Sequence, residues 1–258
     1  MRIRVELEPL KTIFSLPFHY NHHVASLIYR MLALASPQYS RFLHEQGYEG
    51  LKLFTFSQLL IRGRNVVRRK LEGRGNLTLF ISSPVTEFME NLAQGFLSEP
   101  ELLLCDQRFR VERLEILPRP DLQEEANFTC LSPIVVSKGG ERHATYLPHD
   151  SPQLSQAVRQ NLQRKLRLLG RPKEEAHFEL WFDQDYIQAR QGQAYRLVDY
   201  KGIKIKGILS PFKVRGDREL LEVGYEAGFG EKNSLGFGMV ELIHEHRQPQ
   251  SRRSNTGG

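Results

Sequence analysis

The chain has 258 residues, 40% of them hydrophobic and 26% charged, with 36 Lys and Arg against 30 Asp and Glu. That length suits one large domain or two small ones, and the apolar content excludes wholesale disorder. Two cysteines, Cys105 and Cys130, with no CxxC pair exclude a disulfide scaffold or a zinc ribbon and fit a reducing cytoplasm.

No apolar run reaches the ~18 residues of a membrane span, and MRIRVELEPL has no signal-peptide core. A cytoplasmic protein with no membrane partner is the expectation. The net charge of +6 hides a sharper pattern. Stretches 61–74, 159–173 and 201–218 each hold six basic groups and together carry +16, so the remaining 211 residues carry −10. Any one stretch reads as a solvated face. Three in an otherwise acidic chain predict a phosphate-tracking surface.

The first element is a strand, because Ile3, Val5 and Leu7 alternate with charged residues. A helix follows over 21–35 on the spacing of Val24, Leu27, Ile28, Met31 and Ala35, and Pro37 is expected to stop it. Residues 51–60 and 76–82 read as a strand pair joined by the basic segment. Ser83 as N-cap and Pro84 at the first helical position open a second helix with apolar face Val85, Phe88, Met89, Leu92 and Phe96. Residues 109–117 complete a β-α-β-β-α-β order.

PRPDLQEE (118–125) resets the pattern. Residues 128–136 read as a strand, and Ser151-Pro152 opens a helix with stripe Leu154, Val158, Leu162, Leu166 and Leu169, ended by Gly170 and Pro172. Strands near 176–183 and 195–208, a helix from Asp217 to Ala227 and a strand over 236–244 repeat the same order. The fold class is therefore α+β, two tandem ferredoxin-like (RRM-like) domains over 1–118 and 119–246, followed by a disordered tail over 247–258. That superfold fixes no function, and the RRM aromatic signature is missing from both halves.

The most unusual local sequence is GYEAGFGEKNSLGFGMV (224–240). It matches neither a Walker A loop nor GxGxxG; its glycines supply backbone for a tight connection or for close approach to phosphates. This run resembles the C-terminal glycine-rich signature of the CRISPR repeat-RNA processing endoribonucleases, the sixth family of Cas proteins. NHHVASLIYRML, FLHEQGYEGLKLFTFS, LSEPELLLCDQRFRVERLEIL and FTCLSPIVV carry the same resemblance, which spans about 1–245.

The resemblance implies two ferredoxin-like domains and cleavage of repeat RNA, without metal or cofactor, by a Tyr, a His and a Lys. The matching positions are Tyr29 of LIYRML, His44 of FLHE and Lys52 of LKLFTFS. On a regular helix Tyr29 falls about 140° from the apolar stripe, away from the core. His44 is expected in a polar loop beyond that helix. Products would be a 2′,3′-cyclic phosphate and a 5′-hydroxyl.

Expected RNA contacts are Arg62, Arg64, Arg68 and Arg69, then Lys204, Lys206, Lys213 and Arg215, and in the glycine-rich run Gly230, Lys232, Asn233, Ser234 and Gly236. Repeat RNA (pre-crRNA) is the expected partner, with a homodimer or a CRISPR effector complex as further associations. The alternatives are a non-catalytic member that retains guide RNA, and an assembly protein whose basic stretches are solvated faces. His19-x-x-His22-His23 lacks an acid or Cys at ligand spacing, and His244-Glu-His246 reads as solvated. Asp106, Asp183 and Asp185 stand apart from any two-metal pattern.

Overall fold

The computed structural model describes residues 1–139, 145–191 and 193–243. His244, His246 and the 247–258 tail lie outside the described residues.

In the first half, β1 (Arg2–Pro9) buries Ile3, Val5 and Leu7 as its alternation requires. Strand β2 (Phe14–Pro17) leads to α1 (Asn21–Ala35), and α2 (Pro37–Glu45) follows after a single residue. Short strands β3 (Thr55–Phe56) and β4 (Leu60–Ile61) precede the hairpin β5 (Asn65–Val67) and β6 (Lys70–Gly73). Then come β7 (Leu77–Ser82), α3 (Thr86–Ser98), β8 (Glu101–Leu104) and β9 (Gln107–Leu117). The main sheet runs β3-β7-β1-β9-β8, with neighbours antiparallel, which is the ferredoxin-like order plus an edge strand.

The second half runs β10 (Glu125–Cys130), β11 (Ser137–Lys138), β12 (Thr145–Tyr146), α4 (Leu154–Leu168), β13 (Phe178–Phe182) and α5 (Gln184–Ala189). A hairpin of β14 (Tyr195–Tyr200) and β15 (Ile203–Ile208) precedes β16 (Phe212–Gly216), α6 (Arg218–Ala227) and β17 (Val240–Leu242). Its sheet order, β13-β16-β10-β17, repeats the first half's four-strand core. Each half has its own apolar core, one built from Ile3 to Phe109 and the other from Leu122 to Val240.

Several expected elements differ. Pro37 ends α1 but also starts α2: it occupies the first turn, and Ser36 caps the helix by accepting from the Tyr39 amide at 3.3 Å. Residues 51–54 are not strand, because Leu53 sits in left-handed backbone (φ +51°). Helix α3 starts at Thr86 rather than Pro84; Ser83 Oγ accepts from Val85 N and donates to Leu53 O, bracing the turn before the helix. Residues 195–208 form a separate hairpin, and the sheet strand expected there is supplied by Phe212–Gly216. Among the described residues no helix is long and apolar enough to cross a membrane.

The halves are joined by hydrogen bonds that a solvated linker would not provide. Thr55 Oγ1 donates to Phe237 O at 2.9 Å, Asn21 Nδ2 donates to Leu235 O at 3.0 Å, and Gln58 N donates to Leu131 O at 2.9 Å. Arg2, buried under the ring of Tyr225, pairs with Glu241 at 2.9 Å. All but the Gln58–Leu131 bond tie the first half to the glycine-rich run or the residue next to it.

Candidate active site and RNA interface

Helix α1 points its apolar stripe inward and leaves Tyr29 half-buried at the edge, against Phe54. Burial pushes the Tyr29 phenol up to about 12, so it keeps its proton through the neutral range. His44 stands exposed in the last turn of α2, not in a loop, with its ring edge-on to Tyr29 and centroids 5.6 Å apart. The chain then reverses through left-handed backbone at Gly47, Glu49 and Gly50. This reversal returns Lys52 to α2, where Nζ donates to the His44 carbonyl at 3.0 Å. Partial burial holds the Lys52 ammonium below its ordinary value. The three sequence-nominated groups therefore converge, although they come from two helices and a loop.

Beside them a cleft of about 570 Å³ opens between the halves. Lys52 and Phe54 line one wall; Lys232, Asn233 and Ser234 of the glycine-rich loop and Arg164 of α4 line the others. Within that loop the nominated residues divide. Lys232 and Ser234 keep partial exposure, while Gly230, Asn233 and Gly236 are buried. A Cβ at Gly236 would overlap the Phe56 ring and Asn21, and one at Gly230 would overlap the Val135 carbonyl. Asn233 spends its amide on Phe229 O (3.3 Å) and Phe237 O (3.0 Å).

Lys165 closes this arrangement, and sequence reasoning passed it over. It is 2% exposed, and its Nζ donates to Gly228 O (2.6 Å), Gly230 O (3.0 Å) and Asn233 Oδ1 (2.7 Å). Three oxygens match the three N–H bonds of an ammonium, yet burial pulls the group down to about 7. A signal was present: Lys165 lies three residues after Leu162 and four before Leu169, squarely on the apolar stripe of α4.

The basic stretches also divide. In 61–74, Arg62, Arg64, Arg68 and Arg69 are exposed, and Arg68 and Arg69 (φ +47° and +61°) form the two-residue turn of the β5–β6 hairpin. In 201–218, Lys204 and Lys206 project from β15, with Lys206 over the Tyr195 ring at 4.4 Å. Lys213 and Arg215 share the outer face of β16, where Lys213 is paired with Glu125. Stretch 159–173 leaves Arg164, Arg167 and Arg171 exposed and buries Lys165. Its Arg164, Lys165, Arg167 and Lys173 already bond oxygens of the protein, at Glu49, the glycine-rich loop and Glu219.

Two ferredoxin-like units in tandem, with a Tyr-His-Lys cluster whose lysine lines a cleft between them, define the class of protein. The chain matches the family models for CRISPR-associated protein Cas6, N-terminal, over residues 15–115 and CRISPR associated protein Cas6, C-terminal, over 117–242. It is 32% identical over 251 residues to the CRISPR-associated endoribonuclease Cas6 1 of Methanocaldococcus jannaschii, covering 95% of each chain. It is 30% identical to the CRISPR-associated endoribonuclease Cas6 of Pyrococcus furiosus, covering 93% of this chain and 88% of that one. A solved structure described as the characterization of a Cas6-related gene from Pyrococcus furiosus superposes with a TM-score of 0.78 at 29% identity, covering 95% and 99% of the two chains. The chain belongs to the Cas6 family of CRISPR-associated proteins.

Proposed function

We propose that this protein is an endoribonuclease that cleaves CRISPR repeat RNA without a metal, giving a 2′,3′-cyclic phosphate and a 5′-hydroxyl. The observation that carries the reading is the convergence of Tyr29, His44 and Lys52, the last of which lines the cleft. Its similarity to relatives named as Cas6 endoribonucleases supports the activity.

RNA supplies its own nucleophile, so the protein's work is to move two protons and to stabilise charge. The ribose 2′-oxygen loses its proton and bonds to phosphorus; the P–O5′ bond breaks and the leaving oxygen gains a proton. His44 is the group of the three suited to carrying a proton near neutral pH. Tyr29, protonated and half-buried, donates a hydrogen bond that orients the 2′-hydroxyl or the phosphate. Lys52 sets a compact positive charge against the developing oxyanion.

Arg62, Arg64, Arg68, Arg69, Lys204, Lys206, Lys213 and Arg215 track phosphates, and Lys232 and Ser234 meet the RNA inside the cleft. Gly230, Asn233 and Gly236 serve the RNA through the shape of the loop. The catalytic groups belong to a first domain ending near residue 118, and the glycine-rich loop to the second.

The test is cleavage of the repeat RNA encoded beside the gene, in EDTA, with and without a 2′-deoxy sugar immediately upstream of the cut. Cleavage in EDTA that the deoxy sugar abolishes is expected. Loss of activity in EDTA, restored by Mg²⁺, would overturn the mechanism, and tight binding without cleavage would favour a guide-retaining role.

A further inference from the structure

Helix α4 belongs to the second half, yet three basic residues within one of its turns reach two different loops. Arg164 Nη2 donates to the Glu49 carbonyl at 2.8 Å, and Arg167 Nη2 pairs with the Glu49 carboxylate at 2.7 Å. Glu49 lies between His44 and Lys52 and holds left-handed backbone without being glycine (φ +46°). Lys165, between the two arginines, holds the glycine-rich loop by three hydrogen bonds. The helix itself is immobilised, since Val158, Leu162 and Leu166 are fully buried. One rigid bar thus grips a loop on each side of the cleft.

We propose that Arg164, Lys165 and Arg167 are positioning residues that fix the Lys52 loop relative to the glycine-rich loop, so that the catalytic groups meet the RNA in register. The inference rests on the proposed cleavage reaction and deepens it. The rival role for the arginines is direct phosphate contact, which the strongly basic sequence of α4 would also suggest. The geometry favours positioning because both guanidinium groups meet at one residue, Glu49, through its carbonyl and its carboxylate. A displacement of about 1 Å at a reacting centre can cost on the order of 100-fold in rate, so a modest bond can matter more to cleavage than to stability.

The experiment compares Arg164→Ala/Arg167→Ala, Arg167→Glu, the swap Glu49→Arg/Arg167→Glu, and Lys165→Met. Single-turnover cleavage at saturating protein should fall about 10-fold or more in the double alanine variant and in Arg167→Glu. Affinity for uncleaved RNA should change less than about 3-fold with an unchanged salt slope, and the swap should return the rate to within about 3-fold. A salt slope shallower by about 0.7 per arginine would mean phosphate contact and overturn the proposal; so would a swap that rescues nothing. Amide exchange without RNA reads the bar independently of activity. Residues 46–53 should exchange faster in the arginine variants, and residues 228–236 in Lys165→Met. Should the wild-type protein cleave no repeat RNA, the proposed reaction fails while exchange still decides the bar; unchanged exchange in both loops would overturn it.

Discussion

Residues 44–53 and 228–238 face each other across one cleft and use left-handed backbone in opposite ways. The first segment takes it at Gly47, Glu49, Gly50 and Leu53, and leaves His44 exposed and Lys52 partly so. The second takes it at Gly228, Gly230, Lys232, Gly236 and Gly238, and turns most of itself inward. Non-glycine residues in this conformation cost roughly 1–2 kcal/mol each. The first accepts that cost at Glu49 and Leu53, in the segment that carries His44 and Lys52. The second avoids it with glycine at four of five positions, because those backbones lie against Val135, Phe56, Asn233 and Phe229. Changes in the first should therefore alter rates, and changes in the second should alter stability.

The sharpest way to break this contrast is His44→Ala. General acid–base groups contribute typically about 10²–10⁴-fold, or roughly 3–5 kcal/mol of barrier. Single-turnover cleavage should slow by that factor while RNA affinity and melting temperature stay near wild type. A wild-type rate would move the chemistry away from this loop. Gly236→Val probes the opposite side. The new side chain must displace the Phe56 ring and adopt φ +86°, so unfolding free energy should drop by about 2–4 kcal/mol in denaturant titrations. Weaker RNA binding should follow only to the extent that the loop opens.

Lys165 gives the contrast a pH axis. Its folded pKa of about 7 lies below the ordinary 10.5, so between those values the unfolded chain holds a proton that the folded chain lacks. Stability should then rise with pH above 7, by about 2 kcal/mol up to pH 9. Beyond that, Cys105 and Cys130, pushed up to about 12 by burial, work in the other direction. Unfolding measured at intervals from pH 7 to 9 should show the rise in the wild type and a flatter line in Lys165→Met. Parallel lines would mean that the buried amine does not titrate in this window.

Much of this is readable from the residues, and the failures have more than one cause. The order β-α-β-β-α-β in both halves follows from alternation and stripe spacing, whereas Tyr29, expected off the core face, is half-buried and packs against the core at Phe54. Pro37 reads as a stop, although the same Ser36-Pro37 pair starts α2 and sets His44 in a helix. Lys165 reads as one charge in a basic run, because a tally cannot tell a cation on the apolar stripe from one in water. Glu49 carried no local signal, since its partners are more than 100 residues away. Local spacing records which face a residue takes, but not what waits there from a distant part of the chain.

The smallest effect comes from the β5–β6 hairpin, where exposure and strain coincide without glycine. A two-residue turn with both residues left-handed favours Asn-Gly, yet Arg68-Arg69 stands there, next to Lys70. Replacing the pair with Asn-Gly relieves backbone strain, so the variant should be more stable by up to about 1 kcal/mol. If these guanidinium groups meet phosphates, affinity for repeat RNA should fall, and the slope of log affinity against log salt should become shallower by about 1.4 for the two charges on single-stranded RNA. The cleavage rate at saturating protein should hold, since the hairpin lies outside the Tyr29–His44–Lys52 cluster. Filter binding at several salt concentrations beside a thermal melt gives both readouts. Stability and binding moving in opposite directions would mark the turn as strained for the sake of its charges; an unchanged salt slope would leave the arginines as solvated surface and shift the RNA path toward Lys204 and Lys206.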